Sequence, residues 1–136
     1  MLIDSLDHLV MTVNDIDITC DFYSRVMGIN VIHFGDKRTA LTFGRQKINL
    51  HESDSEFAPK ASCPKPGSLD LCLLTKRSIK TIISHLQQLD IPIIEGPVQR
   101  TGATGPIQSV YFRDPDGNLL EIAHPLDGDS TENPHS

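Results

Sequence analysis

The sequence predicts an α+β domain made of two copies of a βαβββ unit. Three observations carry this expectation. A strand followed by an amphipathic helix occurs twice, short extended pieces follow each helix, and a polar, proline-bearing connector at residues 52–67 separates the copies. A length of 136 residues suits one domain with a respectable core and argues against a two-domain enzyme.

Residues 6–13 (LDHLVMTV) form a candidate strand because apolar, β-capable residues dominate, and Asn14-Asp15 follows as a stop and helix cap. From Asp15 to Met27 the apolar positions Ile16, Cys20, Tyr23 and Met27 recur at spacings of three and four, widened by Phe22 and Val26. Gly28 stands where a left-handed glycine ends a helix. Extended pieces near 30–34, 38–43 and 46–51 follow, with Gly35-Asp36 and Gly44-Arg45 as turn signals.

The order then restarts. Leu69 to Thr75 is a candidate strand, and Ser78 caps a helix whose apolar face is Ile79, Ile82, Ile83, Leu86 and Leu89. Ile91 to Ile94 is expected as a strand broken by Pro92, and Gly96 to Gly105 as a loop rich in Gly, Thr and Pro. A hairpin closes the copy, with Val110-Tyr111-Phe112 and Leu119 to Ala123 as arms and Asp114-Pro115-Asp116-Gly117 as the turn. The domain is thus expected over residues 1–124, in modules of about 4–54 and 67–124, with a polar, frayed tail over 125–136.

Twelve basic residues against eighteen acidic ones give a net charge of −6, and the basic residues are scattered. Nucleic acid and anionic membranes are therefore poor partners. No apolar run approaches the length of a bilayer span, and Asp4 stands where a signal peptide carries basic residues, so the expected location is the cytoplasm. Cys20, Cys63 and Cys72 lack CxxC spacing, which suggests neither a disulfide framework nor structural zinc; Cys20 and Cys72 are expected as core filler.

Polar residues inside apolar strands carry the functional signal. Glu121 lies in Leu119-Leu120-Glu121-Ile122-Ala123, where an unpaired carboxylate costs several kcal/mol of desolvation. His8 sits in the first strand on one face with Leu6, Val10 and Thr12. Two readings are open: a hydrogen-bonded core His beside a salt-bridged Glu, or a divalent-metal pair, for which both groups offer lone pairs. Asp70 raises the odds of metal, but its alignment is ambiguous. The tripeptide Ser5-Leu6-Asp7 recurs as Ser68-Leu69-Asp70 and would match Asp70 with Asp7, whereas overlaying the helices matches it with His8. Only the second register suits ligation, because a one-residue shift reverses the face. The helix overlay is favoured.

Asn49 and His51 share one face of the strand 46–51, as a fourth ligand or a substrate contact. Arg100 is available to an anionic substrate group, or is a solvated loop residue. His33, His85 and His124 have no such setting. No GxSxG string, Walker loop, dinucleotide loop or reactive cysteine setting is present.

The strings Asp7-His8-Leu9-Val10-Met11-Thr12-Val13, Asp21-Phe22-Tyr23 with Val26-Met27-Gly28, and Tyr111-Phe112-Arg113-Asp114-Pro115-Asp116-Gly117-Asn118-Leu119-Leu120-Glu121 resemble the vicinal oxygen chelate superfamily. That group holds glyoxalase I, fosfomycin-resistance thiol transferases, extradiol dioxygenases, methylmalonyl-CoA epimerase and bleomycin-resistance proteins. The resemblance spans about residues 4–124. Ile48-Asn49-Leu50-His51-Glu52, Pro66-Gly67-Ser68-Leu69-Asp70 and the stretch from Gly96 to Pro106 look most like small stand-alone glyoxalase-domain proteins.

The resemblance implies paired βαβββ modules in a half-open mixed β-barrel with helices outside. It implies one divalent ion (Zn, Ni, Mn, Mg or Fe) on His8, Asp70 and Glu121, where Asp70 replaces the usual His and favours oxygen-preferring ions. Asn49 or His51 stands where glyoxalase I places a carboxylate base. The implied activity is a glyoxalase-like lyase or isomerase on a small oxygenated metabolite, thiol conjugates included, with Glu121 or His51 moving the proton and Asn49 and Arg100 binding substrate. Two alternatives accompany it. One is an extradiol ring-cleaving dioxygenase using Fe²⁺ on His8, His51 and Glu121; the other is a bleomycin-resistance-like binder that needs no metal. A homodimer is the family expectation.

Overall fold

A computed structural model of the chain describes residues 1–126. They form two compact units: Met1–Leu69 with the turn Asp114–Gly117, and Asp70–Arg113 with the residues from Asn118 onward. The tail expected over 125–136 lies, from residue 127, outside the described residues, and Pro125 closes the last strand.

The first unit contains β1 (His8–Val13), α1 (Ile16–Met27), β2 (Asn30–Phe34), β3 (Arg38–Phe43) and β4 (Gln46–Glu52). The Asp15 carboxylate caps α1 by accepting from the Ile18 N–H at 2.9 Å, and Gly28 ends it at φ 68°, a backbone conformation that glycine adopts without steric cost. The strands are ordered β1-β4-β3-β2, with β1 parallel to β4 and the others antiparallel. The buried apolar residues are Met11, Val13, Tyr23, Val26, Ile29, Ala40, Leu41, Ile48 and Leu50. Alternation along β1, β3 and β4 sends Met11, Val13, Leu41, Ile48 and Leu50 to one face, while Ala40, opposite Asn49, is buried on the other.

Two polar anchors fasten the hairpin turn to this unit. The buried Tyr23 hydroxyl donates to Asp114 Oδ2 at 2.7 Å, and Asn14 Nδ2 donates to Asp116 Oδ1 at 2.8 Å. Gly67, at φ 79°, lies against the same turn, and a Cβ there would stand 2.5 Å from the Asp116 carbonyl oxygen, so no larger residue fits.

The second unit contains β5 (Asp70–Leu74), α2 (Ile79–Gln88), β6 (Glu95–Gly102), β7 (Gly105–Arg113) and β8 (Leu119–Pro125). Its strand order, β5-β8-β7-β6 with β5 parallel to β8, repeats that of the first unit. The Ser78 hydroxyl caps α2 by accepting from the Thr81 N–H at 3.2 Å. Ile79, Leu86, Ile107, Val110, Phe112, Leu120, Ile122 and Ala123 form the core. The expected α+β class and the βαβββ repeat are both present.

Two expectations are corrected. Residues 91–94 are not a strand, and the stretch read as a loop from Gly96 to Gly105 is mostly β6, paired with β7 from Val98↔Ser109 to Gly102↔Gly105. An edge strand needs no donor on its outer side, and a register irregularity between Glu95 and Val98 takes up Pro97. Cys72 is exposed rather than core filler.

Candidate functional site

Each sheet carries a polar face opposite its core. In the first unit, β1 and β4 pair His8↔Lys47, Val10↔Asn49 and Thr12↔His51, so these six side chains share one face. His8 is exposed, and its Nδ1 lies 2.8 Å from Asp7 Oδ2. A carboxylate on one ring nitrogen fixes the ring and leaves Nε2 for a ligand. Asn49 is buried, and its Oδ1 has no hydrogen-bond partner. A buried amide oxygen in that state costs about 1–3 kcal/mol unless something donates to it.

His51 is also buried, packing edge-on against Phe57 at 5.6 Å, with the Arg38 guanidinium 4.1 Å from the Phe57 ring. Burial first, and the Arg38 charge second, lower its pKa and favour the neutral ring. His51 pairs with Thr12, four residues along β1 from His8, which separates the two histidines by roughly 13 Å at the strand rise. Asn49 is only two residues off register from His8, about 7 Å, which long side chains span. One chain therefore does not bring His8 and His51 to a single ion.

Residues 52–69 fold back along this face. They enclose a cavity of about 580 Å³ lined by Val10, Thr12 and His51 from the strands and by residues between Pro59 and Leu69.

In the second unit, β5, β8 and β7 pair Cys72↔Glu121 and Tyr111↔Glu121, and Asp70↔Leu119 puts Asp70 on the same face two residues away. Glu121 is half-buried and well supplied with donors. The fully buried Ser109 hydroxyl donates to its Oε2 at 2.6 Å, and the Tyr111 hydroxyl and Cys72 thiol are also hydrogen-bond partners. Burial first, then the Glu121 charge, pushes the Cys72 thiol up to about 11. Arg100 Nε donates to the Tyr111 hydroxyl at 3.1 Å and Nη2 to Glu95 at 3.0 Å. Arg100, Tyr111, Glu121 and Cys72 border a cavity of about 540 Å³.

The two parallel strand pairs can be laid over one another through their pairing. His8 opens β1 two residues before the partner of Asn49, and Asp70 opens β5 two residues before the partner of Glu121. With Glu121 laid on Asn49, Asp70 falls on His8, whereas laying the helix caps Ser78 on Asp15 puts Asp70 on Asp7, the register of the shared Ser-Leu-Asp tripeptide. Arg100 and Glu121 share one cavity, and Asn49 shares a face with His8 and His51. His8 belongs to the first unit, and Asp70 and Glu121 to the second. Among the described residues no three His, Cys, Asp or Glu side chains are grouped so as to hold a metal ion.

Ser109, Tyr111 and Cys72 escaped the sequence reading. Counting back from the turn would have found the first two, since Arg113↔Leu119 fixes Tyr111 opposite Glu121. The unpartnered buried Nδ1 of His124, in β8, was likewise without a sequence signal.

Imidazole and carboxylate are donor types that divalent ions accept, and the buried Asn49 oxygen of the first unit is an acceptor without a hydrogen-bond partner. No helix of the described residues is long and apolar enough to cross a membrane.

Residues 5–122 match the model of the Glyoxalase/Bleomycin resistance protein/Dioxygenase superfamily. The chain is 56% identical over 123 residues to "Virulence protein STM3117" of Salmonella typhimurium, covering 90% of this chain and 85% of that one. The crystal structure of that protein superposes with a TM-score of 0.90, covering 93% of this chain and 100% of the other at 55% identity. "Glyoxalase domain-containing protein RDO1" of Mycosarcoma maydis is 56% identical over 119 residues, covering 88% of this chain and 67% of that one. A more distant relative, "Metallothiol transferase FosB" of Shouchella clausii, is 23% identical over 129 residues, covering 89% of this chain and 80% of that one. With the βαβββ repeat and this match over most of its length, the chain belongs to the Glyoxalase/Bleomycin resistance protein/Dioxygenase superfamily.

Proposed function

We propose that the protein is a divalent-metal-dependent lyase or isomerase of the glyoxalase type. Its substrate is a small oxygenated metabolite, thiol conjugates included, and it works as a homodimer. The observation that carries this reading is the matched register of the two sheets. His8 and Asp70 hold one equivalent position, Asn49 and Glu121 another, and all four stand on polar faces rather than in the core.

His8, Asp70 and Glu121 are the metal ligands in this reading. When bound, a divalent ion supplies Lewis-acid stabilisation of the charge that develops on substrate oxygen. Glu121 moves the proton between neighbouring carbons, its carboxylate held in place by Ser109, Tyr111 and Cys72. Asn49 and Arg100 bind substrate: the orphaned Asn49 oxygen accepts a hydrogen bond, and the Arg100 guanidinium, fixed by Tyr111 and Glu95, meets a negative group. His51 lies too far along the strand from His8 to serve the same ion, which removes the main support for a His8, His51 and Glu121 dioxygenase centre.

The test is a metal-reconstitution assay. Chelator-treated protein is loaded in turn with Zn²⁺, Ni²⁺, Mn²⁺, Mg²⁺ and Fe²⁺, then offered adducts of small thiols with 2-oxoaldehydes, and catechols under air. Metal-dependent isomerisation of an adduct, lost in Glu121→Gln, supports the reading. Oxygen uptake with catechols, or binding of substrate without turnover under every metal, rejects it.

A further inference from the structure

We infer that the cavity of the first unit is a binding site for a small amphiphilic organic anion, a carboxylate with a short apolar tail. None of the proposed metal ligands lines it, though Val10 and Thr12 share the β1 face with His8.

Its composition carries the inference. The lining is Val10, Thr12, His51, Pro59, Lys60, Ala61, Cys63, Pro64, Lys65, Ser68 and Leu69, with two lysines and no carboxylate, in a chain whose net charge is −6. Lys60 is paired with Glu56, which leaves the Lys65 ammonium to attract anions to the cavity. At about 580 Å³ it falls within the range of metabolite-sized pockets.

The wall is built rather than accidental. The nearly buried Glu56 side chain accepts from the Asp54 N–H at 3.0 Å and from Lys60 Nζ at 3.1 Å, which ties both ends of the segment 54–60 together and neutralises Lys60. The Ser68 hydroxyl donates to the Lys65 carbonyl at 2.8 Å and closes the turn that presents Lys65. Lys65 makes no ion pair among the described residues, so its ammonium is available to a ligand.

The rest of the lining is mostly apolar, with Val10, Pro59, Ala61, Pro64 and Leu69, and 43% of the Val10 surface is open. His51, packed against Phe57, also lines the cavity. A bare inorganic anion would leave the apolar wall wet, and a neutral apolar ligand would leave Lys65 unanswered. A carboxylate with a tail of a few carbons satisfies both.

The test uses metal-free full-length protein at low ionic strength, so that its failure is independent of the metal-dependent reading. Hexanoate, hexanamide and inorganic phosphate are titrated while backbone amide signals are followed by NMR. Hexanoate is expected to shift the amides of Ala61, Cys63 and Ser68 and to bind about tenfold tighter than hexanamide. Lys65→Gln should remove that preference and Lys65→Arg should keep it. Equal affinity for hexanoate and hexanamide, shifts confined to other regions, no binding at all, or phosphate binding as tightly as hexanoate would each overturn the proposal.

Discussion

The Ser109 hydroxyl donates a 2.6 Å hydrogen bond to Glu121 Oε2 from a fully buried position on the adjacent strand. A bond this short between a hydroxyl and a carboxylate is charge-assisted and holds the acid in one orientation. Ser109→Ala should therefore lower metal affinity about 10–100-fold, with the fold weakened by about 1 kcal/mol. Competitive metal titration beside urea unfolding checks both effects; unchanged metal affinity would show that the orientation of Glu121 is set elsewhere.

Tyr23 and Asp114 make the second prediction. Tyr23 is fully buried, and its hydroxyl donates to a carboxylate that is itself 6% exposed, so Tyr23→Phe strips a donor from a buried charge at a cost of about 1.5–3 kcal/mol. Burial, followed by the Asp114 charge, raises the phenol pKa above its ordinary value of 10. A raised phenol pKa favours the protonated folded state, so this stability is present at neutral pH and is lost as pH rises beyond about 10. Urea unfolding should show an alkaline decline in the wild type and a weaker one in Tyr23→Phe.

His51 gives the opposite slope. Its pKa is lowered by burial and by Arg38, so the folded protein resists protonating it while the unfolded chain titrates near 6.5. Its contribution is present above that value and is lost as pH falls through and below it. His51→Gln should flatten the acid side of the stability profile measured by urea unfolding between neutral pH and about pH 5.

Much of the fold was legible because local rules and tertiary packing agree. Asp15, Gly28 and Ser78 cap helices as their chemistry dictates, and the 3.6-residue stripes of α1 and α2 face the core. The edge strand β6 was not legible, since Gly96, Pro97 and Gly102 signal a loop wherever strand position in the sheet is unknown. The candidate site was half legible. Polar residues inside apolar strands marked Glu121, which is half-buried, and His8, which is exposed at the start of its strand. The donors around Glu121 depend on cross-strand pairing, and the cavity over His51 depends on a connector that folds back on its own sheet. Neither has a local sequence signature.

Metal content measured by elemental analysis after mild purification bears most directly on the proposed centre. Wild-type protein is expected to carry close to one divalent ion per chain, and His8→Ala and Glu121→Ala, each shown to be folded, are expected to lose it. Full occupancy in both variants would contradict a centre that uses His8 and Glu121 as ligands.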